Sequence, residues 1–191
     1  MSDSYTMTEN KTLYAVWSDS EKAVVNITAG EENDNLVLFG NAVDNGGIVK
    51  YAWTNEFYSE SNQNKISWVS LSSRQDEVSI KKDVLKSGMH YFYVQDIDGN
   101  ISYASIDVYK LTFKSDVNGS VFVTKYKAAG FGIELTKQKP KKTMQAFKAW
   151  KSEKDNRVYS KHEKYILDKI KKLVFDFFHR KNVEITVSQF G

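Results

Sequence analysis

The chain contains no cysteine, a single proline and no long apolar run. Without cysteine there are no disulfide frameworks, thiolate metal sites or cysteine nucleophiles, so packing alone must hold the fold. The longest apolar candidate, 165–178, is interrupted by Asp168, Lys169, Lys171, Lys172 and Asp176. A membrane span needs roughly 18 consecutive apolar residues, so none is expected. The opening MSDSYTMTENK has neither a cationic start nor an apolar stretch, and no secretory signal is expected on it. The chain then reads either as one that stays in the cytoplasm or as part of a longer one. Also missing are G-x-G-x-x-G, G-x-x-x-x-G-K, an E-x-x-H pairing and a serine in an elbow motif, so no phosphate-binding loop or hydrolase signature is present.

What is present is a chain of 191 residues, 41% hydrophobic, 14% aromatic and 27% charged. That suffices for one medium domain or two small ones. The net charge of +3 hides an asymmetry. Residues 1–110 hold 9 basic and 16 acidic side chains, a balance of −7, and residues 111–191 hold 18 and 8, a balance of +10. So sharp a change near residue 110 points to two units with different surfaces.

Short strand signals recur from residue 23 onward, at 23–29, 35–39, 48–54, 66–70, 77–80, 90–96 and 101–109, with turn-forming clusters at 30–34, 44–47, 59–64 and 98–100. Seven short strands in about 90 residues read as an antiparallel sandwich. Val49, Tyr51 and Trp53 share one strand face, and Trp53 is large enough to be a buried anchor between two sheets. In the stretch 88–94 both faces carry apolar residues, and periodicity alone leaves open whether Phe92 or Tyr93 points inward. One further strand candidate, 12–17, precedes these; Ile166, Ile170, Leu173, Val174 and Phe177 recur at helical spacing, and Val183, Ile185 and Val187 alternate as a strand does. That last strand is expected to close a small β-α-β layer.

Gly88, Phe92, Val94, Asp96, Gly99 and Asn100 match a G-x-Y-x-F-x-V-x-D-x-x-G-N strand pair, so this stretch resembles bacterial immunoglobulin-like domains. The resemblance implies that Phe92 and Val94 point inward, which would leave Tyr91, Tyr93, Tyr103 and Tyr109 on the solvent side. His90 takes the place of the family's tyrosine, and an imidazole can donate a similar corner hydrogen bond. Leu111-Thr112-Phe113, Asn118-Gly119-Ser120-Val121, Pro140 and Phe147-Lys148-Ala149-Trp150 resemble the opening of the internalin-type B repeat, a β-grasp-like module. Its terminal strand resembles Tyr5 to Trp17, ending Thr12-Leu13-Tyr14-Ala15-Val16-Trp17. The implied architecture is mainly β. Residues 1–18 form the last strand of a truncated repeat, 22–110 an immunoglobulin-like β-sandwich, 111–160 a partial β-grasp-like repeat and 161–191 an amphipathic helix and short strand. Trp17, Trp53, Phe92, Val94 and Trp150 are the expected core anchors.

The chemistry-bearing residues each have a structural reading beside the functional one. Asp96-Ile97-Asp98-Gly99-Asn100 places three oxygen ligands close together but lacks the continuation to a bidentate glutamate, and reads as a hairpin turn rather than a calcium loop. His90, His162 and His179 stand apart without motif context. Lys137, Lys139, Lys141, Lys142, Lys148 and Lys151, interleaved with Phe147 and Trp150, could engage an anionic polymer or nucleic acid. The resemblance favours a solvated lysine-rich face around a buried Trp150 instead, and nucleic acid is not the expected partner. The tyrosine stripe could bind a sugar or a protein. No cofactor, metal or catalytic residue is expected. The resemblance implies a non-catalytic spacer and adhesion segment of a bacterial cell-surface protein, with a protein or glycan ligand. Strand exchange between chains is a second reading.

Overall fold

The computed structural model describes Thr12, residues 14–15, 20–114, 121–135, 148–151, 158–159, 164–165 and 183–185. Among these residues the protein is mainly β, its sheets largely antiparallel. The strands are β1 (Val24–Glu32), β2 (Asn35–Thr54), β3 (Val69–Asp83), β4 (Gly88–Asp96), β5 (Ile101–Lys114) and β6 (Val121–Ala128). Short pieces follow: β7 (Ile133–Glu134), β8 (Trp150–Lys151), β9 (Val158–Tyr159), β10 (Lys164–Tyr165) and β11 (Val183–Ile185). A 3-10 helix, Glu60–Lys65, lies between β2 and β3. No described helix is long and apolar enough to cross a membrane.

Each hairpin has a local cause. Asn33 and Asp34, with φ of 48° and 68°, make the two-residue turn between β1 and β2, since both central positions of such a turn need positive φ and these side chains tolerate it. The turn is therefore tighter than the 30–34 cluster suggested, and Gly30 lies inside β1. Between β4 and β5 the Asp96 carboxylate accepts from the Asn100 backbone N–H at 2.8 Å and from Asn100 Nδ2 at 2.7 Å, while Gly99 supplies φ +92°. Both carboxylate oxygens thus serve the turn.

β2 is the spine. Its first half lies between β1 and β3, pairing Asn41 with Asn26 on one side and with Ser79 on the other. Its second half pairs with β4, Trp53 opposite Phe92. The register shifts between Val43 and Ile48, where Gly47 at φ +91° allows an irregularity that bends the strand. The bend brings the two ends of one sheet face to face. Gly40 on β2 lies flat against the Phe92 ring, and a Cβ there would stand 2.3 Å from its Cγ. Ala42, Ile48, Val78, Phe92 and Val94 form the buried core, flanked by Val25, Tyr51, Trp53 and Ile80.

β5 runs unbroken through the 110/111 position, pairing with β4 over its first half and β6 over its second. The two units expected to meet there share one strand. Val183–Ile185 pairs with Leu111–Phe113 in parallel. Lys164 and Tyr165 lie in a strand paired with β7; the helical spacing of 166–177 lies outside the described residues. Of the strand expected at 12–17, Thr12, Tyr14 and Ala15 are described and are exposed outside any strand, while Trp17 lies outside the described residues.

Candidate functional site: an aromatic face over the second half of the sheet

On β4 the side chains alternate, so Phe92 and Val94 enter the core and Met89, Tyr91 and Tyr93 point to the opposite face. β5 sets Tyr103 opposite Tyr93, and β2 sets Ala52 beside it. The stretch 55–68 then folds back over this second face. Phe57 rests against Tyr91 and Tyr103, with ring centroids at 5.7 and 5.6 Å, and Tyr58 meets Tyr93 edge-on at 6.2 Å. Ile66 and Trp68 complete the cover.

Tyr93 is what fastens this cover. Its hydroxyl accepts from the Tyr58 backbone N–H at 2.8 Å and donates to the Tyr58 carbonyl at 3.4 Å. Burial raises its pKa above the ordinary phenol value. Tyr93 is therefore fully buried, which corrects its expected place on the solvent side. The correction has a plain cause: a covering segment distant in sequence gives the sheet a second buried face. Tyr91 and Tyr109 are partly buried, and Tyr103 and Phe57 remain 46% and 50% exposed. The surface left to solvent is a compact group of Phe57, Tyr91 and Tyr103. Asn55, whose Nδ2 donates to the Met89 carbonyl at 2.8 Å, lies at its rim.

The expected core anchors divide. Phe92, Val94 and Trp150 are fully buried, Trp150 edge-on to Phe113 at 5.0 Å. Trp53 is only partly buried, which corrects its reading as a buried anchor. Its ring packs on Phe92 at 4.9 Å, its Nε1 donates to the Ile80 carbonyl at 3.3 Å, and Lys82 lies over its exposed side. An indole whose N–H must reach a backbone carbonyl sits at the margin of the core rather than its centre.

His90 is buried, with Nε2 3.1 Å from the Lys86 carbonyl. A carbonyl only accepts, so Nε2 carries the proton and donates it to Lys86. Nδ1 is buried with no hydrogen-bond partner. Desolvation holds the His90 pKa below the ordinary imidazole value, against the backbone bond to Lys86, which raises it; the charges of Lys82 and Lys86 lower it further and Asp107 opposes them. Neither ring nitrogen meets a carboxylate or a nucleophile at hydrogen-bond distance. His162 and His179 lie outside the described residues.

Of the basic patch, Lys148 is exposed and Lys151 partly buried; Lys137, Lys139, Lys141 and Lys142 lie outside the described residues. Two other lysines, which sequence reasoning passed over, are buried on β6. Lys125 pairs with Asp34 at 2.6 Å and Glu31 at 3.9 Å, and Lys127 Nζ donates to the Ala128 carbonyl at 3.2 Å. A cleft of about 170 Å³ lies beside Lys127, between Gly30, Glu31 and Phe131. The partners of Lys125 lie about 90 positions away, so no local pattern announces its burial. Among the described residues no group of three or more His, Asp or Glu side chains could hold a metal ion. No family model matches the chain, and no curated protein or solved structure matches it.

Proposed function

We propose that this chain is a non-catalytic spacer and adhesion segment of a bacterial cell-surface repeat protein, with residues 22–110 as an immunoglobulin-like β-sandwich. The observation that carries the reading is the use made of the conspicuous polar groups of that region. Asp96 accepts twice from Asn100, His90 donates to Lys86, and Tyr93 clasps Tyr58. Each is spent on holding one strand or turn to the next, which suits a module whose task is to keep its shape. The core favours the same reading: Phe92 and Val94 are buried beneath the first half of β2, where the resemblance to immunoglobulin-like domains puts them. Beyond residue 110 the hairpin of β5 and β6 and the buried Trp150 against Phe113 are what a partial β-grasp-like repeat would supply. Phe57, Tyr91 and Tyr103 are the side chains this segment offers to a protein or glycan ligand.

The test is location. Antibodies raised against the chain label intact cells of the source organism, and trypsin applied from outside releases its peptides. Labelling that requires the cells to be opened first contradicts the reading.

A further inference from the structure

β3 lies at an edge of the sheet among the described residues. It pairs with β2 from Glu77 to Asp83 and again at Val69, Ser70 and Gln75, and among the described residues no strand or loop pairs with its other edge. The register puts Val84 opposite Leu36, and the Val84 N–H donates to the Leu36 carbonyl at 3.3 Å. In an antiparallel ladder, residues that exchange hydrogen bonds alternate with residues whose backbone groups face the other way. Val78, Ile80 and Lys82 therefore spend their backbone groups on β2, and Glu77, Ser79, Lys81 and Asp83 turn theirs outward. From Glu77 to Asp83 the register is regular, with no proline and no bulge. Exposed edges of that kind are open to pairing unless something prevents it.

Charged side chains usually prevent it, but here their order does the opposite. Along β3 the sequence runs Asp76-Glu77-Val78-Ser79-Ile80-Lys81-Lys82. We propose that β3 is the interface with a second copy of this chain, the two edges pairing antiparallel about a two-fold axis at Ser79. This sets Glu77 opposite Lys81 of the second copy, Asp76 opposite Lys82, and Val78 opposite Ile80, each pair occurring twice. The register also meets the backbone condition, because Glu77, Ser79 and Lys81 all carry outward-facing groups. Three hydrogen-bonded residue pairs give six new backbone hydrogen bonds. A shift of two residues sets Glu77 opposite Asp83 in one direction and opposite Ser79 in the other, so the charges select one register. Glu77 is exposed and the Lys81 side chain is 43% exposed, its ammonium ion-paired with Glu32 and Asp83 within the chain, so the second copy's Glu77 would join that group. Asp76 is exposed beside Arg74, and Lys82 is partly buried over the Trp53 ring. The result is a continuous sheet in the order β1-β2-β3-β3-β2-β1. It stands independently of the surface-spacer reading.

Sedimentation equilibrium of the full chain over a concentration series, at low and high salt, tests it. The wild-type chain forms a dimer whose dissociation constant rises with salt. Glu77→Lys and Lys81→Glu each set like charges across the interface and raise that constant about tenfold or more. Mixed in equal amounts, the two variants pair with each other and recover the dimer, because each reversed charge then faces an opposite one; recovery on mixing also shows that both variants are folded. Ser79→Pro removes an outward N–H and leaves a monomer with unchanged far-ultraviolet circular dichroism. A wild-type chain that stays monomeric throughout, a dimer indifferent to both charge reversals, or a mixture that remains monomeric overturns the proposal.

Discussion

His90 combines a full hydrogen bond at one ring nitrogen with a bare, buried nitrogen at the other. Protonation at Nδ1 would place a charge in the core beside Lys82 and Lys86, so the folded chain resists it. The sign of the linkage follows. An unfolded imidazole takes up its proton near its ordinary value of 6.5, the folded one only at lower pH. The unfolded state therefore binds more protons below that value, and stability is full above it and is lost as pH falls through the folded value. Urea midpoints at about pH 7.5 and about pH 5.5 measure this, since most carboxylates remain ionised over that interval. His90→Gln keeps an N–H donor for Lys86 and removes the titration. The midpoint should fall between the two conditions more steeply in the wild-type chain than in the variant; equal falls would mean that His90 titrates as it does in water.

The segment 55–68 is the element whose role depends on one hydroxyl. Tyr93→Phe keeps the ring in its place but leaves the Tyr58 N–H without its acceptor. The expected loss is about 1–3 kcal/mol, the cost of a buried donor left unsatisfied. Hydrogen exchange distinguishes this from a general weakening: amides of 57–66 should exchange faster in the variant while those of β4 lag behind, and a uniform change across the sheet would contradict the role given to Tyr93. At this scale alternation was a sound guide to which segments are strands and a poor one to where they stop. The signals at 35–39 and 48–54 are one strand, β2, because the turn chemistry of Asp44-Asn45-Gly46-Gly47 serves a bend inside it. The signals at 66–70 and 77–80 likewise merge into β3, which follows β2 around that bend. Phe92 and Tyr93 could not be ranked by periodicity because both faces of β4 are buried, one by the first half of β2 and the other by 55–68. Burial of Lys125 was illegible for a related reason: its carboxylate partners come from the β1–β2 turn, far away in the chain.

At the scale of the whole molecule, the charge boundary near residue 110 marks a change of surface and not a break in the backbone, because β5 carries the sheet across it. What unites the molecule is the fold of one sheet over itself, and Gly40 is its closest point. Without a side chain there, the backbone of β2 lies directly on the Phe92 ring; any Cβ would overlap it. Trp53 packs on the same ring, and the core residues of β3 and β4 gather around it. The most direct measurement is the proton resonance of Gly40 together with its cross-relaxation to Phe92. Its α protons should be shifted far upfield by the ring and show strong cross-peaks to the Phe92 ring protons. Gly40 α protons at ordinary strand positions, with no cross-peak to that ring, would contradict the face-to-face packing on which the account is built.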